Sequence, residues 1–264
     1  MPELPDVEAL RAMFEKHALA RTIEEVVVRE AKALQDATAQ KLSEEAVGNH
    51  FSEVLRHGKM LFARIGDGPF LVFHFGMTGR LIITRADDDL PAHARLVFEF
   101  HNGGRLVFGD QRKLGWLELA GSMSAYLRDN EIGPDALSVS KDRLQKIIGA
   151  TRGHVKPALM DQSKLAGIGN VYSDEILLQA SLRPDAKGNA LSDGQLRQLH
   201  RVMREVLETA SHRLSEGKGL PDDWLTPHRG QDGHCPRCGA DLAHEKTSGR
   251  TAWFCPACQR DADG

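Results

Sequence analysis

Apolar residues at helical spacing, Val7, Leu10, Met13 and Phe14, predict a first helix over residues 5–19, directly behind the N-terminus. Beyond it the period shortens. β-rich runs occupy residues 23–28, 54–65, 70–75, 80–84, 96–100, 105–108 and 116–119, separated by turn signals such as Gly66-Asp67-Gly68 and Asn102-Gly103-Gly104. Short strands with turns between them are the pattern of a sandwich or a barrel. From about Asp142 the spacing becomes helical again over 142–150, 157–162, 170–180 and 192–214, the last amphipathic through Leu196, Leu199, Val202, Val206 and Leu207. A Gly- and Pro-bearing stretch over 217–233 then leads into a short tail that holds all four cysteines.

Composition narrows the class only a little. The chain of 264 residues is long enough for one large domain or two modest ones with a small appendage. A formal charge of −3 argues against a nucleic-acid-binding protein, since neutralising phosphates requires Lys and Arg. Lys and Arg nevertheless concentrate in 141–156 and 197–218, so a basic face on an acidic body is compatible with the balance. The start lacks a basic segment followed by an apolar run, and no apolar stretch reaches the length of a membrane span, so a cytoplasmic protein is expected.

The cysteines form two knuckles, Cys235-x2-Cys238 and Cys255-x2-Cys258, with sixteen residues between them. That spacing matches a four-cysteine zinc ribbon, in which four thiolates close a tetrahedral shell around one structural Zn2+. A pair of disulfides or a redox motif is the alternative, disfavoured in a cytosolic chain.

The N-terminus carries a second kind of chemistry. Removal of Met1 would expose the secondary amine of Pro2 beside the carboxyl of Glu3. An α-amine titrates near ~8 rather than lysine's ~10.4, so about a tenth of it is neutral at pH 7. A neutral amine attacks electrophilic carbon and forms an iminium. Farther along, Leu165-Ala166-Gly167-Ile168-Gly169-Asn170 places two glycines before a helix, which fits either a phosphate site made of free N–H groups or a tight helix–helix turn.

Three separated motifs then point the same way. They are Pro2-Glu3-Leu4-Pro5-Asp6-Val7-Glu8, the run from Lys156-Pro157-Ala158-Leu159-Met160-Asp161-Gln162 to Gly167-Ile168-Gly169-Asn170, and Gly249-Arg250-Thr251 ahead of Cys255-Pro256-Ala257-Cys258-Gln259. Together they resemble the formamidopyrimidine-DNA glycosylase/endonuclease VIII family, closer to its formamidopyrimidine branch through Leu4 and Asp6. The resemblance implies an α+β multidomain fold with three parts. These are an N-terminal β-sandwich with a leading helix over 1–125, a helix-two-turns-helix domain over 126–225 and a four-cysteine zinc finger over 226–264. It also implies a monomer that binds damaged double-stranded DNA in a cleft, in the nucleoid-associated cytoplasm, and flips the lesion out because C1′ is inaccessible inside the stack.

Residue by residue, the resemblance makes Pro2 the nucleophile, Glu3 the acid and Lys59 a proton donor near the lesion. Arg250 becomes the finger arginine of phosphate grip and δ-elimination. Lys156 and Asn170 match phosphate-binding positions. Met77 fits a wedge that fills the hole left by the flipped base, Arg112 the residue that pairs with the orphaned base, and His93 a further DNA contact. Leu114 stands where an aromatic wedge is expected. The acidic stretch 215–224 departs from the base-covering loop of 8-oxoguanine-type members, so terminus and loop disagree on substrate. The implied activity is excision of oxidised bases followed by β,δ-elimination. An endonuclease VIII-like pyrimidine preference, a non-catalytic damage-binding protein and a zinc-ribbon interaction factor remain as alternatives.

Overall fold

The computed structural model describes residues 1–247 and 249–260. The chain divides into two compact units, the first comprising Met1, Pro2 and residues 6–131, the second residues 3–5 and everything from Ile132 onward.

Helix α1 (Leu4–Ala18), which lies in the first unit from Asp6 on, is followed there by β1 (Ile23–Val28), β2 (Leu34–Gln35), α2 (Ala39–Ala46), β3 (Phe51–His57), β4 (Met60–Ile65) and β5 (Phe70–His74). Then come β6 (Gly79–Arg85), β7 (Ala94–Phe100), β8 (Gly104–Asp110), β9 (Trp116–Ala120) and α3 (Met123–Asp129). Two sheets form, ordered β1-β7-β8-β6 and β2-β9-β5-β4-β3. Alternate residues of the strands face inward: Leu96, Phe98 and Phe100 of β7 join the main core while Val97 lies in a separate small cluster. The inner faces meet through aromatic rings, with Phe51 edge-on to Phe98 at 5.2 Å and Phe108 6.3 Å from Phe73. Helix α1 covers this core by inserting Phe14 against Phe51 at 5.0 Å. The unit is a β-sandwich with a leading helix, as expected.

Two local expectations need correction. Residues 54–65 are two strands, because Gly58 takes a left-handed φ of 57° and closes a two-residue hairpin between paired His57 and Met60. Helix α3 lies where no helix was expected; Ser122 caps it through Ala125 N at 3.2 Å, and its Tyr126 packs 5.6 Å from Phe62, so the first unit reaches Glu131.

The second unit contains α4 (Lys141–Gly149), α5 (Val155–Met160), α6 (Asn170–Gln179), α7 (Asp193–Ser215) and the hairpin β10 (Ala243–Thr247) and β11 (Arg250–Phe254). Helix α7 begins with a capping box made by Ser192 and Gln195 and buries the stripe read from the sequence, Leu196, Leu199, Val202, Val206 and Leu207. No helix of the described residues is long and apolar enough to cross a membrane.

A buried charge cluster organises this unit. Asp174 of α6 receives Lys156 on one oxygen and Arg229 on the other at 2.9 Å, and the N–H of Trp253 on β11 at 3.2 Å. Lys156 and Asp174 are each 1 % exposed. Burial pushes the Lys156 ammonium down and the Asp174 carboxyl up, while their mutual attraction opposes both shifts. The cluster therefore stands only while each charge has its partner. Asp174→Ala strands two cations and is expected to cost about 3–5 kcal/mol in urea unfolding, whereas Asp174→Asn, which keeps the hydrogen bonding shape, costs less.

Candidate active site

The first unit carries Pro2, Lys59, Met77, His93, Arg112 and Leu114; the second carries Glu3, Lys156, Asn170, Arg250 and the four cysteines. Pro2 is half-buried behind the exposed Met1, and Glu3 is 2 % exposed.

The glycine-rich turn before α6 holds Glu3. Its carboxylate accepts from Gly169 N at 2.7 Å, Val171 N at 2.9 Å and Tyr172 N at 3.2 Å, and Leu4 N donates to Gly167 O at 3.0 Å. A Cβ on Gly169 would lie 2.8 Å from Glu3 Cγ, so glycine is required for this close approach. The turn is thus an anion site, as its N–H groups suggested, but the anion is the chain's own carboxylate and not a phosphate. Because Pro2 is bonded to Glu3, this capture also limits where the proline nitrogen can lie.

Lys59 stands in the β3–β4 hairpin, which Arg56 braces by donating to Gly58 O at 3.1 Å and to Glu8 of α1 at 2.8 Å. Its ammonium acts on His74, a residue that sequence reasoning missed. Burial first, and the Lys59 charge second, hold the His74 imidazole below its ordinary range, so it is neutral at pH 7. Its ring stacks on Trp116 at 5.0 Å, and Nδ1 accepts from Gly76 N at 3.3 Å, which leaves the proton on Nε2. A histidine next to the Gly76-Met77 turn was the available signal.

Met77, Arg112 and Leu114 are brought together. Met77 and Leu114 are 42 % and 49 % exposed, large apolar side chains with no core to cover them. Their loops touch through backbone, since a Cβ on Gly76 (φ 53°) would lie 2.6 Å from Gly115 N. Between the loops sits Asp110, 1 % exposed. Its carboxylate receives the Thr78 hydroxyl, Gly115 N at 2.7 Å, Leu114 N at 2.8 Å and Arg112 N at 3.2 Å. Burial opposes its charge, yet these donors together hold it below the usual carboxylate range. Its backbone N–H donates to His93 O at 3.0 Å, placing exposed His93 (φ 65°) on the same hub. Asp110 was missed as well; a carboxylate closing an apolar strand was its only trace in the sequence.

In the second unit, Asn170 opens α6 and donates from Nδ2 to Thr251 O at 3.1 Å, the residue after exposed Arg250. With the Trp253 contact to Asp174, this fixes β11 on α6 at two points. Lys156 differs from expectation: its ammonium is enclosed with Asp174, which does not fit a phosphate contact. The acidic stretch folds back on its own helix, with Arg213 donating to Gly219 O at 2.6 Å, Lys218 pairing with Glu216 at 2.9 Å and Trp224 entering the core. Its segment is short and locally neutralised at Glu216.

The four cysteine sulfurs lie within 4.8 Å of one another, Cys235 to Cys258 at 3.9 Å and Cys238 to Cys255 at 3.6 Å. A tetrahedron with Zn–S bonds of ~2.3 Å requires S–S separations of about 3.8 Å, whereas a disulfide requires ~2.05 Å. The donor set therefore fits one structural zinc.

Comparison with known proteins places this geometry. Residues 1–117 match the formamidopyrimidine-DNA glycosylase N-terminal domain, 132–219 the H2TH domain of the same enzymes, and 234–260 the zinc finger found in FPG and IleRS. Formamidopyrimidine-DNA glycosylases of Heliobacterium modesticaldum and Desulforamulus reducens are 33 % and 32 % identical, each over 98 % of this chain and at least 99 % of their own. Among solved structures, Lactococcus lactis Fpg (MutM) bound to DNA containing FAPY-dG superposes with a TM-score of 0.91 at 28 % identity, covering 98 % of this chain and 100 % of that one. MutM in complex with carbocyclic 8-oxo-G DNA superposes at 0.90, again at 28 % identity and with the same coverage. The chain belongs to the formamidopyrimidine-DNA glycosylase family.

Proposed function

We propose that this protein is a bifunctional DNA glycosylase and abasic-site lyase of base excision repair, acting as a monomer on damaged duplex DNA in the cytoplasm, with oxidised purines preferred over oxidised pyrimidines. The observation that carries the reading is the Glu3 carboxylate held by three N–H groups one bond from Pro2. A general acid must be positioned before its proton is useful.

In the proposed reaction the lone pair of neutral Pro2 N forms a bond to C1′ while the glycosidic bond breaks and its electron pair leaves with the base, which takes a proton from water, and the Pro2 N–H proton passes to the Glu3 carboxylate. Glu3 then delivers that proton to O4′ as the C1′–O4′ bond opens, leaving an iminium that acidifies C2′–H. Loss of that proton expels the 3′ phosphate, a second elimination expels the 5′ phosphate, and water releases the enzyme. Lys59, and His74 through its Nε2 proton, supply positive charge and a donor to the phosphate flanking the sugar. Arg250 and Asn170 grip phosphates from the second unit, and Arg250 supports the second elimination. Zinc, when bound by the four cysteines, supplies rigidity to the hairpin that presents Arg250.

The purine preference rests on the likeness to proteins solved with FAPY-dG and 8-oxo-G DNA. The short segment after α7 argues that any such preference arises without a long base-covering loop.

Borohydride reduction should trap a covalent adduct on abasic-site duplex with mature protein, and none when Met1 or an extension blocks Pro2. Absence of a Pro2-dependent adduct would overturn the enzyme reading in favour of damage binding alone. Glu3→Gln should retain binding to abasic duplex and lower single-turnover excision by about 10²-fold or more. Duplexes bearing single oxidised purines or pyrimidines, opposite each of the four bases, decide the substrate order. Removal of zinc by a chelator, or Cys238→Ser, should abolish metal stoichiometry and weaken DNA binding while the sandwich stays folded by circular dichroism.

A further inference from the structure

We propose that Asp110 is a positioning residue for base extrusion, its carboxylate clasping the Met77 loop to the Arg112–Leu114 loop so that three side chains enter the duplex as one wedge. This rests on the reading of the chain as a protein that extrudes a damaged base. Asp110 closes β8 and is buried, yet among the described residues its carboxylate serves no core ion pair: it receives Thr78, Arg112, Leu114 and Gly115. Thr78 bridges the two loops a second time, since its hydroxyl oxygen also accepts from Arg112 N at 2.9 Å. From the other side, Arg95 Nε donates to Asp110 O at 2.8 Å, and Asp110 N is held by His93 O at 3.0 Å. The carboxylate thus holds Arg112 and Leu114 directly and Met77 through its neighbour Thr78, while the Asp110 backbone N–H reaches His93.

The physical need is resistance to recoil. Unstacking a base step costs a few kcal/mol, and a side chain pushed into the gap bears that restoring force. Met77 and Leu114 are 42 % and 49 % exposed, so core packing holds them only in part. Bonds to an ionised acceptor are among the stronger ones a loop can make. Three of them come from backbone N–H groups of the Arg112–Leu114 loop and the fourth from the Thr78 hydroxyl beside Met77, so they fix the loops and leave the wedge side chains free to enter the DNA. Glycine at Gly76 and Gly115 allows the close approach: a Cβ on Gly115 would meet His74 O at 2.9 Å.

The test compares Asp110→Asn and Thr78→Val with wild type, and Thr78→Ser as the conservative rescue, each checked for folding by circular dichroism and thermal melting. The first readout is the ratio of affinities for duplex containing a tetrahydrofuran abasic analogue and for intact duplex. The second is borohydride trapping on a single-stranded abasic oligonucleotide, which has no partner strand and no hole to fill. Misplacement by about 1 Å can cost up to about 10²-fold, so Thr78→Val and Asp110→Asn should reduce the affinity ratio by about tenfold, Thr78→Ser should restore it, and single-stranded trapping should stay within about twofold of wild type. The proposal is overturned if the ratio is unchanged, if single-stranded trapping falls in parallel, or if wild type itself shows no preference for the abasic duplex. Should Asp110→Asn fail to fold, Thr78→Val at its half-buried position decides alone. Wild type that prefers the abasic duplex but yields no adduct would remove the enzyme reading and leave the clasp to stand.

Discussion

One carboxylate anchors the arrangement at the N-terminus. Glu3 occupies the positive end of α6, where three N–H groups without intrahelical partners converge on it. An isolated carboxyl on a chain terminus would wander through many rotamers, and the proline beside it would be a frayed end. Bound to three amides, the same residue is 2 % exposed. The helix that receives it is itself tied down: Asp174 and Asn170, one turn apart, hold β11, and Glu175 receives Thr226 N and the Thr226 hydroxyl at 2.9 and 2.8 Å. The acid, the finger strand and the segment leading into the finger are thus referenced to a single helix.

The same device recurs in the first unit with different residues. Asp110 gathers loop amides as Glu3 is gathered by helix amides, in both cases a buried carboxylate satisfied by backbone N–H groups. Backbone donors suit this role because their positions follow from the fold and carry no rotamer entropy of their own. The one fully buried lysine among the described residues is used differently. Lys156 is spent inside the second unit on Asp174, where its removal from water is tolerable only because the pair is closed by Arg229.

Much of the fold was readable in advance. The β-rich runs over 96–100 and 105–108 and the stripe of α7 follow from side-chain geometry in strands and helices, and both appear where expected. The cysteine spacing was sufficient for the metal site, since two knuckles on one hairpin can converge in few ways. Errors came where a single residue changes direction, as at Gly58, or where a short helix such as α3 lacks a long apolar period. Lys156 was misjudged because a lysine is normally exposed, and nothing in the chain near it announces that Asp174, eighteen positions away, will enclose it.

The sequence by itself determined the reactive groups: a proline that can become a terminal amine, an acid next to it, four thiols at metal spacing, and the periodicities that make a sandwich and a helical unit. Tertiary structure decided what each polar group faces. Glu3 and Tyr172 are 169 positions apart, and Asp110 and Thr78 are 32 apart, so neither pairing has a local signature. Both depend on the packing of whole elements, which sets the angstrom-scale distances on which hydrogen bonding rests. For that reason the glycine-rich turn could be recognised as an anion site from the chain, while the identity of its anion, the carboxylate of the third residue, belongs to the fold.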